Sequence, residues 1–205
     1  MKRAAIGVRM HSGWGALVAV CFDAGEVEII ERRRIEVIDA ASAGAKQPYH
    51  FAKDLEISRA EKLIERCFAN SRQLAAAIVR DLLAELSARK YRVEGAAVVL
   101  ASGRPLPPLA KILAAHPLLH TAEGQFFREV FAKACESCDL PVIGVRERDL
   151  EDSLRKKFGA AAPRIRRRVS GMGRVMGSPW TADQKLATVA GLLALYRGGA
   201  AVRLN

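Results

Sequence analysis

Between Ser153 and Ala182 the chain has no acidic residue, yet Arg155, Lys156, Lys157, Arg164, Arg166, Arg167, Arg168 and Arg174 all fall inside that stretch. A surface built only for solubility mixes the two signs. The missing counter-charge, with 33 Lys and Arg against 22 Asp and Glu and a net charge of +11, points to an anionic partner. Nucleic acid stands ahead of a membrane surface. No uncharged run reaches the roughly 18 residues that a membrane span requires. The most apolar stretch, Leu186 to Tyr196, reads as a buried helix. Arg9 and His11 interrupt the apolar start, and no small-residue cleavage site follows, which excludes a signal peptide. These absences predict a cytoplasmic protein with no membrane association.

Cysteine is scarce, with four in the chain. Cys135 and Cys138 form a CxxC at the end of a helical pattern, not between a strand and a helix where a redox motif lies. Zinc at that pair would need two further ligands, and the expectation is that no second CxxC or HxxxH supplies them. Cys21 falls in a strand pattern and Cys67 on a helix, so all four are read as reduced and structural.

What is present is enough apolar material for one core. With 205 residues and 50% hydrophobic content, a single domain spanning 1–205 is expected. Ala4 to Val8, Ala16 to Phe22 and Val27 to Ile38 have strand composition, separated by Ser12-Gly13 and Ala24-Gly25. Such short turns force antiparallel neighbours. Asp39 to Glu56 reads as a long polar connection. Ser58 with Glu61 reads as a capping box for a helix to about Ala69, and Asn70 or Ser71 opens a second helix. Val93 to Ala101 is an apolar run suited to a strand buried on both faces. A short helix ends near Ala115, and Thr121 starts an amphipathic helix carrying Phe126, Phe127, Val130 and Phe131. A strand follows at Pro141 to Val145, then a helix from Asp149 to Phe158 and a basic Gly/Ala/Pro loop. Thr181 caps the last helix, which is expected to end at Gly198-Gly199. Ala200 to Leu204 reads as a terminal strand or tail. The order predicts an α/β fold: a mixed sheet of three antiparallel strands followed by βα units, flanked by helices.

This order resembles the ribonuclease H-like superfamily, and within it the RuvC-type Holliday-junction resolvases. The likeness is carried by the small-residue-rich helix leading into Asp139-Leu140-Pro141-Val142, by the short helix after it, and by Val169-Ser-Gly171-Met-Gly173 with Lys185 beyond. What the resemblance implies is a pair of Mg²⁺ ions held by about four carboxylates that activate water for phosphodiester cleavage. Carboxylates then belong at the end of the first strand, at the end of the fourth and at the start of the last helix. The first position carries Arg9-Met10-His11, the second Ser102-Gly103-Arg104, and only Asp183 matches at the third. Arginines at two of those positions repel Mg²⁺, so the resemblance comes with most catalytic carboxylates absent. The related actin and sugar-kinase fold needs two duplicated domains and an Asp-x-Gly hairpin, which the chain lacks.

The fold also implies that Arg9, His11, Ser12 and Trp14 lie beside Ser102 and Arg104, with Asp183 and Lys185 approaching from the last helix. Arginines, small hydroxyls and glycines suit a phosphate. The plainer alternative is that Ser12-Gly13 turns a hairpin and Ser102-Gly103 ends a strand. His11 is either a catalytic base or a hydrogen-bonded structural histidine. Glu123 is a helper carboxylate of a nuclease site or a first-turn partner of the helix dipole. His116 and His120 read as loop residues, and Trp180 as an anchor for the last helix ahead of a base-stacking platform. Arg164, Arg166, Arg167 and Arg168 are expected to be exposed in a mobile loop and, with Arg174, to bind phosphates, to which Gly171 and Gly173 permit close approach.

Three functions fit these residues. The first is a nucleic-acid-binding domain without two-metal nuclease activity. The second is a resolvase-like nuclease using Mg²⁺ at an altered site built on Asp183, with Glu123 and His11 as helpers. The third is a protein-interaction scaffold, which a homodimer would suit.

Overall fold

The computed structural model describes residues 1–101 and 105–195. Five strands form one sheet: β1 (Lys2–Met10), β2 (Trp14–Asp23), β3 (Glu26–Glu36), β4 (Tyr91–Leu100) and β5 (Val142–Arg146), in the order β3-β2-β1-β4-β5. β1, β2 and β3 are antiparallel neighbours, while β4 runs parallel to β1 and β5 parallel to β4. The hairpin turns need positive φ. Gly13 supplies one, and Ala24 with Gly25 supply the pair that a two-residue loop of this kind demands. The mixed sheet anticipated from the order of elements is therefore the one that forms. β1 through β4 are each longer at their starts than the apolar runs indicate, and β3 stops at Glu36, short of Ile38.

Eight helices lie among the described residues: α1 (Pro48–Ala52), α2 (Ile57–Ala88), α3 (Leu109–Leu113), α4 (His116–Glu136), α5 (Leu150–Phe158), α6 (Ala162–Gly171), α7 (Gly173–Met176) and α8 (Ala182–Leu195). Four expectations are corrected. The polar connection contains α1. The two helices read around Asn70 are one continuous α2, capped by the Glu56 side chain, which accepts from the Ser58 amide, and not by Ser58. Its Cys67, Ser71, Ala75, Ala76, Val79, Leu82 and Leu86 are buried on one stripe, and that packing outweighs the small propensity cost of Asn70 and Ser71. α4 begins at His116, with Pro117 in its first turn, so Thr121 lies inside it and donates its hydroxyl to the Pro117 carbonyl. The basic loop is helical: Pro163 sits in the first turn of α6, and Ile165 and Val169 are buried one turn apart. The reading of α8 holds at its start. The Thr181 hydroxyl accepts from the Asp183 amide, and the Gln184 side chain accepts from the Thr181 amide, a capping box. Its expected end at Gly198-Gly199 and the terminal segment beyond lie outside the described residues.

Strand periodicity divides the core. Even residues of β1 (Ala4, Ile6, Val8, Met10) pack with α2 and α4, whereas Ala5 belongs with Val18, Val20 and the apolar side of α8. α8 lies directly on the sheet. A Cβ added at Gly7 would overlap the Ala187 carbonyl oxygen and sit 2.7 Å from the Gly191 amide nitrogen. Trp180 anchors the approach to α8 by donating its indole N–H to the Val169 carbonyl and packing on Gly173. Gly173 thus makes room for Trp180. All four cysteines are free. Among the described residues, no helix is long and apolar enough to cross a membrane.

Candidate functional site

Two periodicities converge at the C-terminal edge of β1. On the strand, Gly7, Arg9 and His11 alternate onto the α8 side. On the helix, Asp183, Ala187 and Gly191 recur every four residues on the face that touches Gly7. Close contact at Gly7 therefore presses Asp183 onto Arg9 and His11. His11 Nε2 lies 3.0 Å from Asp183 Oδ2 in a hydrogen bond. Arg9 Nε lies 2.9 Å from Asp183 Oδ1, but off the N–H axis, so that contact is an ion pair and not a hydrogen bond. Arg9 Nη1 donates to Glu147, in the turn after β5. The His11 ring is stacked on Trp14 with centroids 4.2 Å apart, and the Arg34 guanidinium lies 3.7 Å from the Trp14 ring centroid.

A second guanidinium approaches Arg9 from α4. Burial and the Arg9 charge both pull the pKa of Arg128 below its ordinary value. Among the described residues, no hydrogen bond or ion pair reaches the Arg128 guanidinium. Around Arg9 the edge thus holds two carboxylates, both engaged by it, and a half-buried Arg128 without a counter-charge among the described residues; Glu36, opposite Trp14 on β3, is taken by Arg34. That composition does not fit a pair of Mg²⁺ ions, which need several carboxylate oxygens free to ligate them. Among the described residues, no group of three carboxylate, histidine or cysteine donors converges there.

Of the residues anticipated at this edge, Arg9, His11, Trp14 and Asp183 come together. Ser12 forms the β1–β2 turn with Gly13, whose carbonyl accepts from the Val37 amide. Lys185 is half-buried and makes no ion pair among the described residues. Ser102 and Arg104 lie outside the described residues.

Glu123 does not join Asp183, and it is no first-turn dipole partner. Because α4 begins at His116, Glu123 falls in its third turn, 2% exposed. Its Oε1 accepts from the Tyr49 and His50 amides at 2.9 and 3.1 Å and faces His50 Nδ1 at 3.3 Å. Burial pushes its carboxyl up to about 7 against the pull of those amides. His116 and His120, far from being loop residues, are one turn apart on α4. They form a His-x-x-x-His, contrary to the expectation that the chain holds none, and the helix start before Thr121 puts both on one face of α4. Arg32 also escaped the reading: its guanidinium donates to the carbonyls of Met176, Gly177, Ser178 and Pro179, the segment leading into α8.

The basic segment presents its charges on an ordered helix and not on a loop. Arg164, Arg166, Arg167, Arg168 and Arg174 are all exposed. Arg164 reaches the Gly25 carbonyl and Glu26, and Arg166 pairs with Glu151 at 2.9 Å. Arg167, Arg168 and Arg174 make no ion pair among the described residues.

Neither a known family profile nor a curated protein sequence matches the chain. Solved structures do. Thermus thermophilus RuvC in complex with a Holliday junction substrate superposes with a TM-score of 0.53 at 12% identity, covering 93% of this chain and 91% of that one. A second Thermus thermophilus RuvC structure gives a TM-score of 0.50 at the same identity and coverage. At that identity the likeness is one of fold. The chain has the mixed five-stranded α/β architecture of the ribonuclease H-like class.

Proposed function

We propose that the protein is a nucleic-acid-binding ribonuclease H-like domain that does not use two-metal nuclease chemistry. The observation that carries this reading is Arg9, whose guanidinium occupies the end of β1 and holds both Asp183 and Glu147. A guanidinium at that point repels Mg²⁺ and takes up the carboxylates that would hold it. Arg128 beside it, with no counter-charge among the described residues, attracts phosphate, as do Arg167, Arg168 and Arg174, which make no ion pair among those residues. The fold neighbour solved with a Holliday junction supports a nucleic-acid partner, and a branched duplex is the natural first substrate to test. The test is retention of branched and linear DNA across a salt series, with Mg²⁺ or Mn²⁺ present to reveal cleavage. Binding that falls steeply with salt, without strand scission, is the expected result. Affinity unchanged between low and moderate salt refutes it.

One observation favours a second reading. The His11–Asp183 hydrogen bond is the kind that orients a general base. If the edge is an altered nuclease site, cleavage occurs with a divalent ion and disappears in Asp183→Asn. Absence of cleavage, or cleavage that survives that substitution, removes this reading.

A further inference from the structure

Three of the four histidines in the chain meet at one point away from the sheet edge just described. His50 comes from α1, and His116 and His120 from successive turns of α4. Ring centroids are 4.7 Å apart for His50 and His120, 5.4 Å for His50 and His116, and 4.6 Å for His116 and His120. One ring nitrogen from each lies within 4.8 Å of the other two. His116 Nε2 and His120 Nε2 face each other at 3.0 Å. A tetrahedral zinc ion with Zn–N bonds of about 2.0–2.1 Å needs ligand nitrogens about 3.3 Å apart, so small side-chain rotations bring the set onto one ion.

The buried member carries the argument further than proximity does. His50 Nδ1 faces Glu123 Oε1, a carboxylate oxygen that already takes two backbone amides. That partner fixes the proton on Nδ1 and leaves Nε2 bare. His50 Nε2 is buried and has no hydrogen-bond partner, and such an atom costs stability unless something fills its lone pair. Neutral imidazole with a carboxylate behind its distal nitrogen is the arrangement that holds and orients a metal ligand.

We infer that His50, His116 and His120 bind one divalent transition-metal ion of the zinc class, with Glu123 as the positioning residue behind His50. Imidazole nitrogen selects zinc, nickel or copper over Mg²⁺, which prefers oxygen. His116 and His120 are exposed, so the fourth coordination position opens to solvent. Bound there, the ion ties α1 to α4 and pins the connection between β3 and α2. This inference is independent of the nucleic-acid reading, because it uses none of the same residues.

The experiment uses the full, tag-free chain stripped with EDTA. Calorimetric titration with Zn²⁺ is paired with the visible absorption of the Co²⁺ form. One equivalent bound at micromolar or lower Kd, with the intense bands of tetrahedral cobalt, is the expected result. His116→Ala and His120→Ala remove exposed side chains and keep the native circular dichroism. Each lowers affinity at least about 100-fold, beyond what loss of an outer-shell partner causes. Glu123→Gln keeps the three ligands and weakens binding about 10-fold or more. Cys138→Ser leaves affinity unchanged, and Mg²⁺ does not compete. No stoichiometric binding, binding undiminished in folded His116→Ala and His120→Ala, or loss of binding in Cys138→Ser overturns the proposal.

Discussion

At the scale of single residues, the sheet edge depends on a glycine that touches no ligand. Gly7 lets α8 lie against β1 at backbone distance, and that contact sets Asp183 over Arg9 and His11. A methyl at Gly7 meets the Ala187 carbonyl oxygen, a backbone atom that cannot rotate away. Overpacking of a core usually costs about 1–3 kcal/mol, and a backbone clash belongs at or above the top of that range. Gly7→Ala is therefore expected to lose about 3 kcal/mol or more in denaturant unfolding, or to fail to fold. A loss below about 1 kcal/mol would mean that α8 is not seated as described. The constellation above Gly7 was anticipated through the fold that the order of elements resembles; the local rules, alternate strand residues sharing a face and Thr181 capping a helix, supply its parts and not their meeting. Glu123 was not legible, because its role depends on where α4 starts. Pro117 fits the first turn of a helix as readily as it breaks one, so the sequence around it supported both starts.

At the scale of elements, helix α6 and its neighbours were the segment where composition misled. Gly, Ala and Pro over 159–163 resemble a loop, yet Ile165 and Val169 give the stretch an apolar stripe that α8 and the sheet bury. Burial of that stripe decides the local structure, and the arginines between these positions are left on the outer face. The connection from α7 to α8 has no stripe and is held from outside by Arg32. One guanidinium reaches four consecutive carbonyls, from Met176 to Pro179, in a fork geometry that lysine cannot reproduce. Hydrogen bonds made by a charged donor contribute about 1.5–3 kcal/mol, so Arg32→Ala is expected to destabilise by about 2–3 kcal/mol. Limited proteolysis would then show new cuts between 176 and 180, and Arg32→Lys would restore little. Unchanged proteolysis in Arg32→Ala would show that Trp180 and the capping box suffice to hold the segment.

At the scale of the whole molecule, a net charge of +11 raises attraction to any polyanion, so total charge alone cannot identify the binding surface. The distinction lies in which cations already have partners. Arg9, Arg164 and Arg166 are committed to carboxylates, and neutralising them by mutation frees an acid for every charge removed. Arg167, Arg168 and Arg174 have no such partner among the described residues and are the ones free to displace counterions from a phosphate backbone. Each phosphate contact contributes about −0.9 to the slope of log K against log salt on duplex DNA. The variant Arg167→Ala, Arg168→Ala, Arg174→Ala is therefore expected to make that slope shallower by about 2–3. It should weaken binding to branched and linear duplexes alike, since phosphate contacts carry no sequence information. Stability should change by less than about 1 kcal/mol, because the side chains are exposed and alanine favours the helix. Fluorescence anisotropy from about 50 to 200 mM salt measures the slope, and thermal unfolding measures the stability. A slope equal to that of the parent chain, with the fold intact, would move the nucleic-acid surface away from α6 and α7 and onto the sheet edge around Arg9 and Arg128.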